Sequence, residues 1–265
     1  MKIGISTASF FTNAATEDAF QIIESLGIEL CEVFLTTFRE YLPEFGELLK
    51  SKKDKIEVYS IHTLSQQYEP ELYNPMQRTR EDCEFYLKQA AQVAKTLNAR
   101  YYTFHGPARL KRRPYVFDYE KLGRRSNEID DILIEYGNCR LCYENVHWTY
   151  FSTPEYFENL KKHSKVLACL DIKQAMQSGI SVYDYIDCMG DRLSNVHLCD
   201  YDENGKLAVP GKGTFDFTAL FRYLIQTGYK GALIMELYAG DYNNYDDVKR
   251  GYEHLYNCLK KAEKE

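Results

Sequence analysis

The sequence predicts a single (β/α)8 barrel spanning residues 1–265, and three observations predict it. Strand-like and helix-like segments alternate from one end to the other, the pattern of parallel strands joined by right-handed crossovers. The chain has 265 residues, room for eight such units and the usual size of this barrel. No Gly-x-Gly-x-x-Gly follows the first strand, which disfavours an open dinucleotide-binding sheet.

The elements follow in order. Residues 3–6 form a short apolar strand. Residues 16–26 have helical periodicity through Ala19, Ile22, Ile23 and Leu26, with Thr16 expected as N-cap and Gly27 as stop. Residues 30–35 read as strand, 44–52 as helix and 58–62 as strand. Residues 79–97 form a long amphipathic helix with Cys83, Tyr86, Leu87, Ala90, Val93, Ala94 and Leu97 on one face. Strand 101–105 and helix 119–136 come next, then strand 141–146. Helix 154–163 has Thr153 as N-cap and Pro154 at its first position. Strand 167–172, a short helix 182–189, strand 193–199 and helix 217–227 lead to Gly228. Strand 232–237 and helix 246–261 close the count at eight strands and eight helices. The longest loops after strands, 64–78, 107–118 and 201–214, fall at the C-terminal face, where such barrels keep their active sites.

Composition narrows the function class. Charged residues are 27% and the net charge is −6, which argues against a nucleic-acid binder with a basic face. No apolar run approaches the roughly 20 residues that span a bilayer, and MKIGISTASFF lacks the pattern of a secretory signal. The expected location is cytoplasmic. The eight cysteines read as reduced thiols, several inside strand-like runs (Cys142, Cys169, Cys199). Cys139 and Cys142 form a lone CxxC without the second pair that a zinc site needs.

Four runs carry most of the chemistry: LCYEN at Glu144, ACLDI at Asp171, NVHLCD at His197 and ALIMEL at Glu236. Each places one side chain at the C-terminal end of a strand, the fifth to the eighth in turn. In a closed barrel these strands are neighbours, so their ends converge on one rim. One such residue alone is an ordinary loop or cap residue; four in register are not. Buried carboxylates are costly unless paired or metal-bound. Three oxygens and one nitrogen suit one divalent metal ion: Mn2+, Mg2+, Co2+ or Zn2+.

A second ring surrounds these four. His62 ends the third strand and His105 the fourth, each able to bind a further metal or orient a substrate through hydrogen bonds. Glu32, in the second strand, is a candidate supporting partner for the ligands. His147 lies just past Glu144, at the mouth. His163 and His254 fall on helices and read as surface residues.

The runs YENV, LDIKQA, NVHLCD, PGKGTFDF and IMEL resemble the xylose isomerase-like TIM barrel superfamily, which holds sugar phosphate isomerases/epimerases and endonuclease IV. The likeness runs from MKIGIST to the eighth strand. It implies that Glu144, Asp171, His197 and Glu236 bind one divalent metal, and that Glu144 and Glu236 are the catalytic acid/base pair on opposite faces of a sugar. The cation would stabilise an enediolate. Proton return to the other face gives epimerisation, and return to the neighbouring carbon gives isomerisation. An inosose-dehydratase-like lyase is the alternative. An endonuclease IV-like phosphodiesterase or a non-catalytic sugar-binding barrel fits less well. Gln174 stands where the endonuclease pattern has a histidine, and GKLAVPGKG lacks its Asp-x-His. Gln174 also departs from epimerases that keep a substrate-contacting histidine there; an amide can hydrogen-bond a hydroxyl without carrying a proton.

The partner expected is therefore a small-molecule sugar, not nucleic acid or membrane, with a homo-oligomer left open. The basic run Arg109–Leu110–Lys111–Arg112–Arg113 either holds a substrate phosphate or carboxylate through residues such as Arg109, or is a solvated lid. Phe10, Tyr68, Trp148 and Tyr238 lie near expected loop mouths, where a ring covers the apolar face of a sugar, Trp148 foremost. The GKG of residues 211–213 is too short for a phosphate loop.

Overall fold

The apolar runs pair in parallel, each with the strand before it, until the last meets the first. The computed structural model describes residues 1–64, 67–107, 116, 118–149 and 152–264. Barrel strands are β1 (Lys2–Ser6), β2 (Leu30–Leu35), β3 (Glu57–Thr63), β4 (Tyr101–Phe104), β5 (Arg140–Glu144), β6 (Leu167–Asp171), β7 (Leu193–Leu198) and β10 (Ala232–Met235). They close in the order β1-β10-β7-β6-β5-β4-β3-β2. The two remaining strands, β8 (Asp200–Tyr201) and β9 (Leu207–Ala208), form an antiparallel ribbon within the loop after β7.

The helices α1 (Ala19–Ser25), α2 (Pro43–Lys52), α3 (Gln77–Leu97), α4 (Tyr119–Gly137), α5 (Pro154–His163), α6 (Ile172–Ser178), α7 (Val182–Met189), α8 (Phe217–Gln226) and α9 (Tyr245–Ala262) surround the barrel. Their apolar faces meet the outward faces of the strands. In α3, Leu87, Ala90, Ala91, Val93 and Ala94 are fully buried, and the helix ends on Asn98 in the left-handed region. Thr153 caps α5 as expected, accepting from the Tyr156 N–H, with Pro154 in the first turn. Thr16 does not cap α1. The helix starts at Ala19, and the Thr16 hydroxyl donates to Glu40 instead. The eight-helix expectation falls one short because α6 begins on the residue after β6, with Asp171 as its N-cap.

The barrel interior is apolar only at its floor, where Leu30, Tyr59, Ala232 and Ile234 pack together with Tyr101. Above them the interior is polar: Ser60, Thr103 and His197 each reach the Glu32 carboxylate, and Asn195 donates to Thr103. Side chains from four strands, two hydroxyls, an amide, an imidazole and a carboxylate, thus build a buried polar cup under the C-terminal rim.

Candidate functional site

Register brings the predicted residues together. Asp171 pairs directly with His197 across β6 and β7, and Glu144 pairs with Cys169 on β6. Glu236 follows the last residue of β10, and its N–H bonds to the Leu198 carbonyl. Glu144, Asp171 and His197 are buried and bring one ligand atom each within 4.8 Å of one another. Glu236 groups with Glu32 and His62 on the same criterion. It reaches the other three through His197, whose Nδ1 is 3.7 Å from Glu236 Oε2 and 3.9 Å from Glu144 Oε2.

Glu32 sets the histidine's orientation. Its fully buried carboxylate accepts from Ser60 and Thr103, each at 2.7 Å, and stands 3.2 Å from His197 Nε2. Burial works against its charge, but His197 and His62 hold the carboxyl well below the usual range. With Nε2 on the Glu32 carboxylate, His197 Nδ1 is turned towards Glu144 and Glu236. His62 Nε2 is 3.1 Å from His105 Nε2, and His105 Nε2 is 3.1 Å from Glu144 Oε2, so the two histidines link Glu144 back to the buried Glu32, 3.6 Å from His62 Nδ1. Burial opposes ionisation of Glu144, and His105, His197 and His62 outweigh it, holding that carboxyl low.

The donor set fits a divalent cation. His197 Nδ1 and Asp171 Oδ2 are buried without a hydrogen-bond partner. Such orphans are costly unless something satisfies them. Ligands at ~2.0–2.6 Å from one ion stand roughly 3–4 Å apart, the spacing of His197 Nδ1 from Glu144 and from Glu236. Asp171 Oδ1 accepts from the Gln174 N–H, and Oδ2, which accepts no hydrogen bond, is met only by the Lys173 ammonium at 3.3 Å.

The sequence motif of the xylose isomerase-like TIM barrel matches residues 20–261. The chain belongs to the xylose isomerase-like TIM barrel family. No curated protein matches it by sequence. Among solved structures it resembles a D-tagatose 3-epimerase-like protein, at 18% identity and TM-score 0.79 over 100% of this chain and 99% of that one. It also resembles D-psicose 3-epimerase from Clostridium cellulolyticum H10 with D-tagatose, at 15% identity and TM-score 0.77 over 98% and 99%. A third is the IOLI protein with a binding zinc atom, at 18% identity and TM-score 0.69 over 99% and 96%. At these identities the likeness speaks for the fold.

Within this family frame, three other expected residues fall elsewhere. Phe10 is fully buried and packs edge-on against Tyr245, so its ring is not open to a ligand. Tyr68 is buried too, its hydroxyl bonded to that of Tyr102. His254 is half-buried behind the seventh loop; a Cβ on Gly211 would lie 2.7 Å from its ring. Gln174 turns its Oε1 to the His147 N–H at 3.0 Å and to His147 Nδ1 at 2.5 Å, so its carbonyl is engaged with the neighbouring loop. Trp148 is half-buried at the end of the same loop, and Tyr238 is exposed. Arg109 and the rest of its basic run lie outside the described residues. The GKG turn wraps a carboxylate: Asp200 accepts from the N–H groups of Tyr201, Gly211, Gly213 and Phe215 at 2.8–3.1 Å.

Sequence reasoning missed three members of the site. Asn145 clamps the end of β6, with Nδ2 donating to the Asp171 carbonyl and Oδ1 accepting from its N–H. Its place directly after Glu144 was the available signal. Glu69, fully buried, accepts from Thr63, Tyr102 and the His105 N–H. Nothing in its polar loop marks it. Lys173 lies inside LDIKQA and is buried between Asp171 Oδ2 at 3.3 Å and Glu236 Oε2 at 3.2 Å. Burial pushes the Asp171 carboxyl up to about 6, Lys173 pulls it down, and Glu144 and Glu236 add to the rise.

Proposed function

We propose that the protein is a divalent-metal-dependent carbohydrate isomerase or epimerase that moves a proton beside a carbonyl. The observation that carries it is a pair of carboxylates, Glu144 and Glu236, that both face His197 Nδ1, at 3.9 and 3.7 Å. Beside them Asp171 Oδ2 accepts no hydrogen bond and has only the Lys173 ammonium near it. The likeness to D-psicose 3-epimerase and to the zinc-binding IOLI protein supports both the substrate class and the ion.

Glu144, Asp171, His197 and Glu236 would hold the cation. When bound, it supplies positive charge that acidifies the C–H next to the sugar carbonyl. One of Glu144 and Glu236 takes that proton, and it or the other returns one. Return on the opposite face inverts the centre; return to the adjacent carbon interconverts aldose and ketose. Both carboxyls are held in the ionised form a base needs: burial opposes it, and is outweighed at Glu144 by His105, His197 and His62 together, and at Glu236 by Lys173, His197 and His62 together. His105 and His62 connect Glu144 to the buried Glu32. Substrate contacts are assigned to His62, His105, Gln174 through its amide nitrogen, Trp148 and Arg109, with Glu32 supporting His197.

Incubation with a panel of ketoses in heavy water, followed by mass spectrometry, tests this. Deuterium should enter the carbon next to the carbonyl of the true substrate. A new enol or ketone absorbance without wash-in would instead make the protein a dehydratase of the inosose type. Cleavage of abasic DNA would overturn both.

A further inference from the structure

Lys173 brings an ammonium into the acidic rim. It lies in the first turn of α6, two residues past Asp171, and only 5% of it is exposed. Its ammonium stands 3.3 Å from Asp171 Oδ2 and 3.2 Å from Glu236 Oε2. These are the two oxygens the metal site requires. Asp171 Oδ1 is taken by the Gln174 N–H, and Glu236 Oε2 is the atom that faces His197 Nδ1 at 3.7 Å. On its other side the ammonium rests over the ring of Tyr238, 4.6 Å from its centre.

We propose that Lys173 is an internal cation that competes with the divalent ion for Asp171 and Glu236, keeping the empty site assembled and the bound ion exchangeable. The inference rests on the metal-binding reading above. Two buried carboxylates facing one another repel unless a cation stands between them. The ammonium fills that role and is tethered to the chain, so the rim does not have to reorganise when the ion leaves. An ion bonded to the same oxygens at ~2.0–2.6 Å comes within a few ångströms of the ammonium. It then binds against a like charge or drives the lysine away. A landing surface exists: Tyr238 is 55% exposed and already receives the ammonium on its face, so Lys173 can swing outwards over that ring towards water. A neutral side chain at this position would leave both carboxylates to the ion alone.

The test is calorimetric titration of chelator-stripped, full-length protein with Co2+, comparing the wild type with Lys173→Met and Lys173→Arg, alongside melting curves with and without the ion. Lys173→Met should bind Co2+ at least roughly tenfold more tightly than the wild type, whereas Lys173→Arg, which keeps the charge, stays within about threefold. Lys173→Met should also melt below the wild type when metal-free and gain more from Co2+. If Lys173→Met does not fold, Lys173→Gln carries the same expectation. A wild type that binds Co2+ while the neutral variants bind no more tightly overturns the competition and leaves the metal site standing. If no form binds Co2+, the metal site itself is wrong and this inference falls with it.

Discussion

The two ends of the barrel carry ionic clusters of the same residue types on opposite terms. At the N-terminal end, Lys2 and Arg100 meet Glu57 at 2.6 and 2.9 Å, with side-chain exposures of 72%, 64% and 33%. At the C-terminal rim, Glu32, Glu144, Asp171, His62, His197 and Lys173 are buried. Water solvates the first group and leaves little free energy at stake. The second group has only itself, so every charge must be met by a neighbour or a ligand. The difference separates decoration from a site: shared charge counts for little, and burial with unmet donor atoms counts for much.

The largest effects should come from the rim. Asp171→Asn and His197→Ala remove donors whose free atoms point at the shared centre, and should strip most of the metal from protein purified without chelator, as read by elemental analysis. Glu144→Gln and Glu236→Gln keep size and one oxygen, so part of the metal should remain while turnover falls by about 10² or more. Near-normal turnover in either metal-loaded glutamine variant would break the two-carboxylate mechanism. The remaining glutamate, or His62 or His105, would then be the base.

How much of this contrast is legible in the sequence depends on what fixes each residue. The strand ends were readable because an apolar run that stops on a carboxylate or histidine repeats four times in register. The closed order of strands follows from the same alternation. What was not readable depends on direction. Helix α6 starts at Ile172, directly after the strand residue Asp171, so the apolar run gave no gap in which to see it. Nothing in the spacing of LDIKQA says that the Lys173 ammonium turns back between Asp171 and Glu236. Phe10 and Tyr68 looked like mouth residues because both lie in loops, yet loops here fold over the rim and bury them.

Glu69 sharpens the comparison, because it is a rim carboxyl with hydrogen bonds but no cation in contact. Burial pushes it from 4.5 up to about 7, although His105, Thr63 and Tyr102 pull it back. A carboxyl raised in the folded state binds its proton more tightly there than in the unfolded chain. Its contribution is full below about pH 4.5 and is lost as pH rises through about 7. Between pH 5 and pH 8 this amounts to roughly 2–3 kcal/mol. Glu69→Gln cannot ionise, so its stability relative to the wild type, from urea unfolding at the two pH values, should shift in its favour by that amount. A pH-independent difference would mean that Glu69 is ionised throughout and that the hydroxyls of Thr63 and Tyr102 suffice to hold it.

The smallest effect belongs to the opposite end. Lys2→Ala removes one arm of the Glu57 pair, and water replaces it at once, so the cost should be no more than about 0.5 kcal/mol. Arg100→Ala should cost somewhat more, up to about 1 kcal/mol, because the guanidinium also lies 5.9 Å from the centre of the Tyr59 ring and covers part of the barrel floor. Raising the salt should shrink the Lys2 effect and leave most of the Arg100 effect, since screening acts on the exposed charge and not on the ring contact. Urea titrations at low and high salt give both numbers. A Lys2→Ala cost of several kcal/mol, undiminished by salt, would mean that the floor pair is not solvated as its exposure implies. Burial would then no longer distinguish the two ends of the barrel.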